Sequence, residues 1–569
     1  MRPSSRGVSD SANLFCDPNL AGRSRIRIIA AMKPDFDSQT VSIVLLVTDP
    51  PAYELAELRK CVQAALDQDL PPLEVIVVDA RGPNARLDFS ADELANPILH
   101  HVPGKFANRA AMFNAALSAA GSEFLLLLVN DQAAIRLRRS ALRTMVMSAV
   151  RHTESKSDAP SLVYADYERL ETDGNRREMH LCDWHAGRLC DTLDLGNALL
   201  VRTSVLRQVG GFDESYNAAD LYDARLRLCQ VAPPAHIANR YAGSLYSVAA
   251  PAKAHNVFDY LLLGKEAQLE MERACTEHLK RVGAYLAPAA DVCKLEYSPQ
   301  EQSHFDTCIA SIVTPVNNRP EFIARAIESV QAQTVRNVEY IAVVNGGPDD
   351  PTCDEVRRYM EGGDRYVPEK PRVRLIVVDV NNLGLCLNSG IAAARGKYYV
   401  QLDSDDRLKP DAVEKLIAVY ESDPTIGMVI GSYEVWTLDE TTGELHRNEE
   451  VPVVTHAEWT AGNGRNILLR IGGAGAPRSA HIKAIKHVGW FGVNDTPHCR
   501  NYGEDYDLVL RISERYTIGR VWDPIYEVIR HSGGTDHSID QVTIERNENA
   551  KDQMRLDALG RRRILNAGR

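Results

Sequence analysis

Two uninterrupted apolar runs, VSIVLLV at 41–47 and LEVIVVD at 73–79, leave this chain little choice of architecture. A strand with one wet face alternates apolar and polar residues, whereas a continuous Val/Ile/Leu run is buried on both faces, as in a parallel sheet covered by helices. The segment between them, 54–68, reads as a helix, so the chain opens with a strand, helix, strand unit. A further helix over 109–120 leads into EFLLLLVND at 123–131.

The same order returns after residue 305. A strand and turn fill 308–322, a helix 323–333, a second strand 338–347, a further strand and turn 372–385, a helix 386–394, and then comes KYYVQLDSDD at 397–406. The later parts also repeat: 205–228 and 482–512 share Val-Gly-x-Phe and Tyr-Asp-x-x-x-Arg. This is an internal duplication. It divides the chain into an amino-terminal arm at 1–38, a first unit at 39–250, a helical segment and linker at 251–304, and a second unit at 305–569 ending in a helix. Within the connection, 254–284 carries a charge-mixed helix and 288–303 reads as the linker.

Composition narrows the function. At 569 residues the chain exceeds one hydrophobic core. A net charge of −12 argues against a nucleic-acid partner, which needs clustered Lys and Arg. The 11 cysteines are odd in number and form no Cys-x-x-Cys pair, which fits reduced thiols in a cytoplasmic protein. No run approaches the ~20 apolar residues of a membrane-spanning helix. The arm lacks the apolar centre of a secretory signal and reads as disordered, with Met32 as a candidate start.

The stretch that carries chemistry is Lys397 to Asp406, a buried strand that breaks into Asp403, Asp405 and Asp406. Ligands of open α/β sheets bind at the carboxyl ends of strands. Oxygen ligands one residue apart there suit Mg²⁺ or Mn²⁺ held with a diphosphate. An isolated Asp-x-Asp is commonly no more than a polar turn, so its weight comes from its surroundings.

Those surroundings are Thr314-Pro315-x-Asn317-x-Arg319, Val343-Val344-Asn345-Gly346-Gly347, Asn382-Leu383-Gly384, Asp403-Ser404-Asp405-Asp406, Gly503-Glu504-Asp505-Tyr506-Asp507 and Arg530-His531. As an ordered set they resemble the family 2 glycosyltransferases of the GT-A fold, and the doubled arrangement resembles that family's tandem members of O-antigen and surface-polysaccharide assembly. The resemblance implies an α/β chain of two tandem GT-A (nucleotide-diphospho-sugar transferase, Rossmann-like) domains joined by a helical linker. It implies inverting transfer from a nucleotide sugar to a glycan or lipid-linked glycan acceptor. Asp403, Asp405 and His531 would hold Mn²⁺ or Mg²⁺, and Asp505 would be the general base. Thr314, Pro315, Asn317, Arg319, Asn345, Asn382, Gly384, Asp403, Ser404 and Glu504 would bind the donor. The plainer readings are that Glu504 and Asp505 favour a helix N-terminus and that a lone His is structural. No basic amphipathic helix marks a membrane surface, and peripheral association at the inner face of the membrane stays open.

Two departures matter. Where the family usually places Asp-Asp-Gly-Ser, this chain has Asn345-Gly346-Gly347-Pro348; an amide both donates to and accepts from a pyrimidine edge, so a uridine donor is expected. The first copy departs further. Aligning Gly121 with Gly396 puts Leu128 and Asn130 at the places of Asp403 and Asp405, Tyr222-Asp223 against Tyr506-Asp507 puts Leu221 at the base position, and Tyr246 against Tyr526 puts Pro251 at that of His531. Asp131, Asp166 and Asp220 remain near the sheet edge. The expectation is a first domain that does not catalyse and instead binds acceptor, presents a surface or scaffolds the second.

Gly472 to Gly475 is not a dinucleotide fingerprint, and in the family it would be a loop near donor sugar and acceptor; Trp490, Phe491 and Trp522 read first as packing residues. Two rivals remain. A nucleotidyltransferase would carry a Gly-rich basic loop after its first strand, which Val313-Thr314-Pro315-Val316 does not offer. A non-catalytic sugar-nucleotide-binding scaffold would not be expected to keep the carboxylates, the base and the His of the second copy.

Overall fold

A computed structural model describes residues 36–151, 159–171, 173–239, 243–249, 264–288, 290–455, 458–495, 502–531 and 541–568. Most of the arm, Met32 and Pro251 lie outside these residues. Seven strands of the first half form one sheet: β1 (Val41–Val47), β2 (Glu74–Asp79), β3 (Leu99–Pro103), β4 (Phe124–Leu128), β5 (Leu162–Ala165), β6 (Ala198–Arg202) and β7 (Ala235–Ile237), in the order β7-β5-β6-β4-β1-β2-β3. The second half contributes β8 (Ala310–Val316), β9 (Val338–Val344), β10 (Arg372–Val377), β11 (Tyr398–Gln401), β12 (Ile426–Leu438), β13 (Arg478–His481) and β14 (Thr517–Arg530), in the order β10-β9-β8-β11-β13-β12-β14. Each strand thus has its counterpart seven labels on. Both sheets are parallel through their central strands and antiparallel around β6 and β13, and two short strands of the second half, Arg407–Leu408 and Leu445–Arg447, add antiparallel pairs to β14 and β12. The α/β expectation and the duplicated order both stand.

Side-chain bonds repeat with the topology. Ser42 donates to Glu74 at 2.6 Å and Ser311 to Glu339 at 2.7 Å; each glutamate then accepts a backbone N–H, from Gly121 and from Arg395 respectively. Gly121 therefore corresponds to Arg395 and not to Gly396. Strand pairing agrees, with Val41 opposite Phe124 and Ala310 opposite Tyr398. The expected alignment is off by one residue: Val129, Asn130 and Asp131 stand where Asp403, Ser404 and Asp405 do. A glycine match outweighed register in the sequence, but the hydrogen-bonded pairing sets which residue reaches the sheet edge.

The halves differ at one side of the sheet. β12 and β14 run on as long paired strands, Ile426 to Leu438 beside Thr517 to Arg530. In the first half the same course is broken, and Tyr167–Leu170 and Tyr246–Ala249 leave to build a separate four-stranded sheet with Ala134–Leu137 and Arg176–Met179.

Helices cover both faces of the second sheet. Pro320–Gln331 opens on a proline at its first turn and buries Ile323, Ala326, Ile327 and Val330, a stripe at helical spacing. On the other face Leu387, Ile391, Ile485, Leu508 and Ile512 form a core that also takes in Leu189, Tyr222 and Leu226 of the first half. The connection contains the helix Lys265–Arg281, within the expected 254–284. The stretch 288–303, read as linker, holds a further helix at Pro299–Phe305, started by a Ser298/Glu301 capping box. The last helix, Gln541–Ala567, returns between the halves, with Arg555 and Arg562 fully buried.

A candidate active site at the carboxyl edge of the second sheet

The carboxyl ends of β8, β9 and β11 open on a polar cleft of about 780 Å³. The acidic turn after β11 is pinned at its base. Tyr526, carried by the long β14, donates its hydroxyl to Asp406 at 2.8 Å and accepts the Asp403 N–H at 3.0 Å, while the Ile529 N–H takes the other Asp406 oxygen at 2.8 Å. Burial, helped by Asp403 and Asp405, pushes the Asp406 carboxyl well above the usual range. Asp406 is thus the buried anchor of the turn. Asp403 and Asp405 are left facing the cleft.

Burial also raises Asp403, opposed by the Arg478 guanidinium and reinforced by Asp405. Asp405 accepts from Arg319 Nη1 at 2.6 Å and pairs with His531 Nε2 at 3.1 Å. His531 is buried and stacks on Phe322, centroids 4.3 Å apart. Asp505 lies in the first turn of the helix Glu504–Arg515, entered through Gly503 at φ +82°, a conformation that favours glycine. Its carboxylate is held at both oxygens, by Arg478 Nη1 at 2.9 Å and by the Tyr506 N–H at 2.7 Å. Arg478 stands between Asp505 and Asp403, whose charges more than offset the cost of burying it and keep it protonated.

The cleft brings together Pro315, Asn317, Arg319, Asn345, Ser404, Asp403, Asp405, Asp505 and His531. Asn345 donates to Asn381, also on the wall, at 3.3 Å. Four expected donor contacts stand elsewhere. Thr314 is fully buried within β8. Asn382 caps the helix Leu383–Ala393, accepting from the Leu385 N–H at 2.9 Å, and donates to the Val493 carbonyl at 3.0 Å. Gly384 is where another backbone passes, since a Cβ there would lie 1.7 Å from the Gly492 oxygen. Glu504 is behind the wall, its Oε2 buried without a hydrogen bond among the described residues, and burial with Asp505 beside it pushes its carboxyl up to about 7. Arg478 and Asn381 escaped the sequence reading; an arginine on β13, far in sequence from either acid, belongs to no motif. Trp490 and Phe491 bear out the packing reading by lying in or against the core, while Trp522 is exposed and holds the Arg520 guanidinium 3.7 Å from its ring centre.

Asp403, Asp405 and His531 fit a hard divalent cation in donor type and in sharing one cleft. Among the described residues no three His, Cys, Asp or Glu side chains are closed around one point. Arg319 and His531 both meet the Oδ2 oxygen of Asp405.

Such a sheet, with an acidic turn, two arginines and a helix N-terminus at its carboxyl edge, defines a Rossmann-like α/β domain with its site at the usual edge. Residues 311–486 match the family model described as glycosyl transferase family 2, and the chain carries a domain of that family there. It is 24% identical over 243 residues to chondroitin synthase of Escherichia coli, covering 43% of this chain and 32% of the relative. It is 32% identical over 132 residues to hyaluronan synthase of Pasteurella multocida, covering 23% and 13%. It is 38% identical over 161 residues to the succinoglycan biosynthesis protein ExoO of Rhizobium meliloti, covering 28% and 43%. The matches span less than half the length of each of these relatives. No described helix is long and apolar enough to cross a membrane.

Proposed function

We propose that the second domain catalyses inverting, cation-dependent transfer of a sugar from a nucleotide-diphosphate sugar, a uridine donor by preference, to a hydroxyl of a glycan in cell-surface polysaccharide synthesis. The observation that carries this reading is that Asp505, Asp403, Asp405 and His531 line one cleft, with Arg478 paired to Asp505. The acceptor oxygen attacks the anomeric carbon as the bond from that carbon to the phosphate oxygen breaks. Asp505 takes the acceptor proton and the nucleoside diphosphate leaves with the bonding electrons. One displacement inverts the centre. Asp403, Asp405 and His531 would hold a divalent cation, which supplies Lewis-acid charge for the diphosphate. Arg478 aims Asp505, holding one carboxylate oxygen while the Tyr506 N–H holds the other. Asn345 and Asn381 offer amides to the base. The relatives named for chondroitin, hyaluronan and succinoglycan support a polysaccharide product.

The first domain carries out no transfer of its own on this reading. Val129, Leu199 and Leu221 stand where the second has Asp403, Arg478 and Asp505, and among the described residues the space at the end of β1, around Val47, Tyr53 and Asn130, is about 10 Å³.

Calorimetric titration of UDP, GDP and dTDP, with Mn²⁺ and with EDTA, tests the donor site, repeated on Asp405→Ala. Cation-dependent binding of UDP that is lost in the variant is expected. Binding that ignores both EDTA and the substitution would overturn the cation assignment, and preference for GDP the uridine one.

A further inference from the structure

The first half is tied to the helix that carries Asp505 in the second by buried charge. Arg188, on a loop of the first half, pairs through Nε with Asp552 of the last helix, and its Nη2 donates to Asn549 at 3.0 Å. The other Asp552 oxygen accepts from Arg555 at 2.5 Å, and Arg555 donates to the Tyr506 hydroxyl at 2.9 Å and to the Ile471 carbonyl at 3.1 Å. Tyr506 is the residue whose N–H holds the Asp505 carboxylate. A second tie runs alongside: Asp191 of the same loop pairs with Arg470, just before the glycine segment whose Ala474 carbonyl accepts from Arg478. Arg188, Asp552, Arg555 and Arg470 are each no more than 2% exposed.

The loop is itself fixed from its own side. Tyr222 donates to the Leu189 carbonyl at 2.7 Å and Arg225 to that of Cys190 at 2.7 Å. In the second half Tyr506, the counterpart of Tyr222, donates in the same way to the Leu468 carbonyl at 2.5 Å. Each half therefore keeps a tyrosine-held loop, and the two loops meet, the Asp191 N–H donating to the Arg470 carbonyl at 3.3 Å. The approach is close: a Cβ on Gly187 would lie 1.8 Å from the Asp552 carbonyl oxygen. Apolar contact alone would glue two domains, and buried ion pairs often add nothing to that. A connected set of directional bonds ending at the carboxylate that takes the proton does something apolar contact does not, because it fixes orientation.

We propose that the 187–191 loop of the first half is a positioning element for transfer, setting Asp505 through Arg188, Asp552, Arg555 and Tyr506. This rests on Asp505 being the proton acceptor. The test uses the full chain as Arg188→Lys, which keeps the charge and shortens the reach, and as Asp552→Asn, with Asp505→Asn as control. UDP release from UDP-N-acetylglucosamine with Mn²⁺ is followed against pH, UDP binding is measured by calorimetry, and the Asp505 carboxyl is titrated by ¹³C resonance, assigned by its absence in Asp505→Asn. In Arg188→Lys turnover should fall by about ten- to a hundredfold, the size of a small misplacement. The acid limb of the profile and the Asp505 titration should move together, with UDP affinity held within about twofold. A folded Arg188→Lys protein with lower melting temperature but unmoved turnover, acid limb and carboxyl titration would overturn the proposal and leave the loop as glue. If Asp552→Asn does not fold, Arg188→Lys carries the same readouts, and if the chosen donor is not turned over, the carboxyl titration decides. Full turnover in Asp505→Asn would instead overturn the base assignment, a separate outcome.

Discussion

The two halves share a strand order and a set of hydrogen bonds, yet one opens a cleft of about 780 Å³ beside Ser404, while around Asn130, at the same place in the other, the described residues leave about 10 Å³. The difference lies in a few side chains at one sheet edge. In the second half Ser404 leaves room beside two carboxylates. In the first, Asn130 at the same place folds back to bond both the N–H and the carbonyl of Leu46, at 2.8 and 2.9 Å, and donates to Tyr53 at 2.5 Å. Arg109 then joins Asp131 at 3.0 Å to Asp220 at 2.5 Å, using up the acids that remain. Asp166, the third of them, is bound by His236 and His180 and by the Leu181 and Asn239 N–H groups. The acids of the first half are thus tied into structural bonds where those of the second face a cleft, a distinction invisible to any count of carboxylates.

The largest test of this comparison is Asp505→Asn, expected to lower transfer by about 10²- to 10⁴-fold in steady-state kinetics while UDP still binds. In the first half Leu221 stands at the Asp505 position, and removing the acid beside it, Asp220→Asn, should leave turnover per folded molecule alone; a comparable loss would mean that the first half is catalytic. Next in size is Arg109→Met, which strands two acids and should cost about 3 kcal/mol in denaturant unfolding; a neutral result would show that the acids were not committed to Arg109.

A smaller effect concerns pH. Glu504 has its carboxyl raised to about 7 by burial, so the folded state binds a proton more tightly than the unfolded chain. Its contribution is complete below the ordinary range near 4.5 and is lost as pH rises through 7. Stability should therefore drop between pH 5 and pH 8 by no more than about 3 kcal/mol from this group, and Glu504→Gln should flatten that drop. An unchanged pH slope in the variant would remove Glu504 from the account. The smallest effect is expected from Val129→Asp with Leu221→Asp, which restores two acids to the first half. It should gain no Mn²⁺-dependent UDP binding, because the space stays filled, and any gain would show that chemistry rather than volume closed the site.

Much was legible in the chain because it rests on local pattern. The apolar runs announced β1, β2, β8 and β9, and the repeat of Tyr-Asp-x-x-x-Arg proved structural in both copies: Asp223 with Arg227 and Asp507 with Arg511 tie each helix to the loop before it. The motif positions Asp403, Asp405, Asp505 and His531 do meet in one cleft. Asn382 and Gly384 belong to the same kind of local signal but serve a helix cap and a close backbone approach. A cap and a ligand contact use the same residue types, so spacing alone does not separate them.

Periodicity and composition were enough for the α/β class and for the duplication, since burial on two faces demands continuous apolar strands wherever they lie. Register was not settled that way, because a slip of one residue costs nothing in a sequence alignment and everything in a sheet, where it exchanges Asn130 for Asp131 opposite Asp405. Nor was the use of each acid. Whether a carboxylate faces a cleft or an arginine depends on side chains brought from distant strands, such as Arg478 to Asp505 and Arg109 to Asp220. Those encounters exist only once the chain has packed, because electrostatic pairing reads distance in space and not separation along the chain.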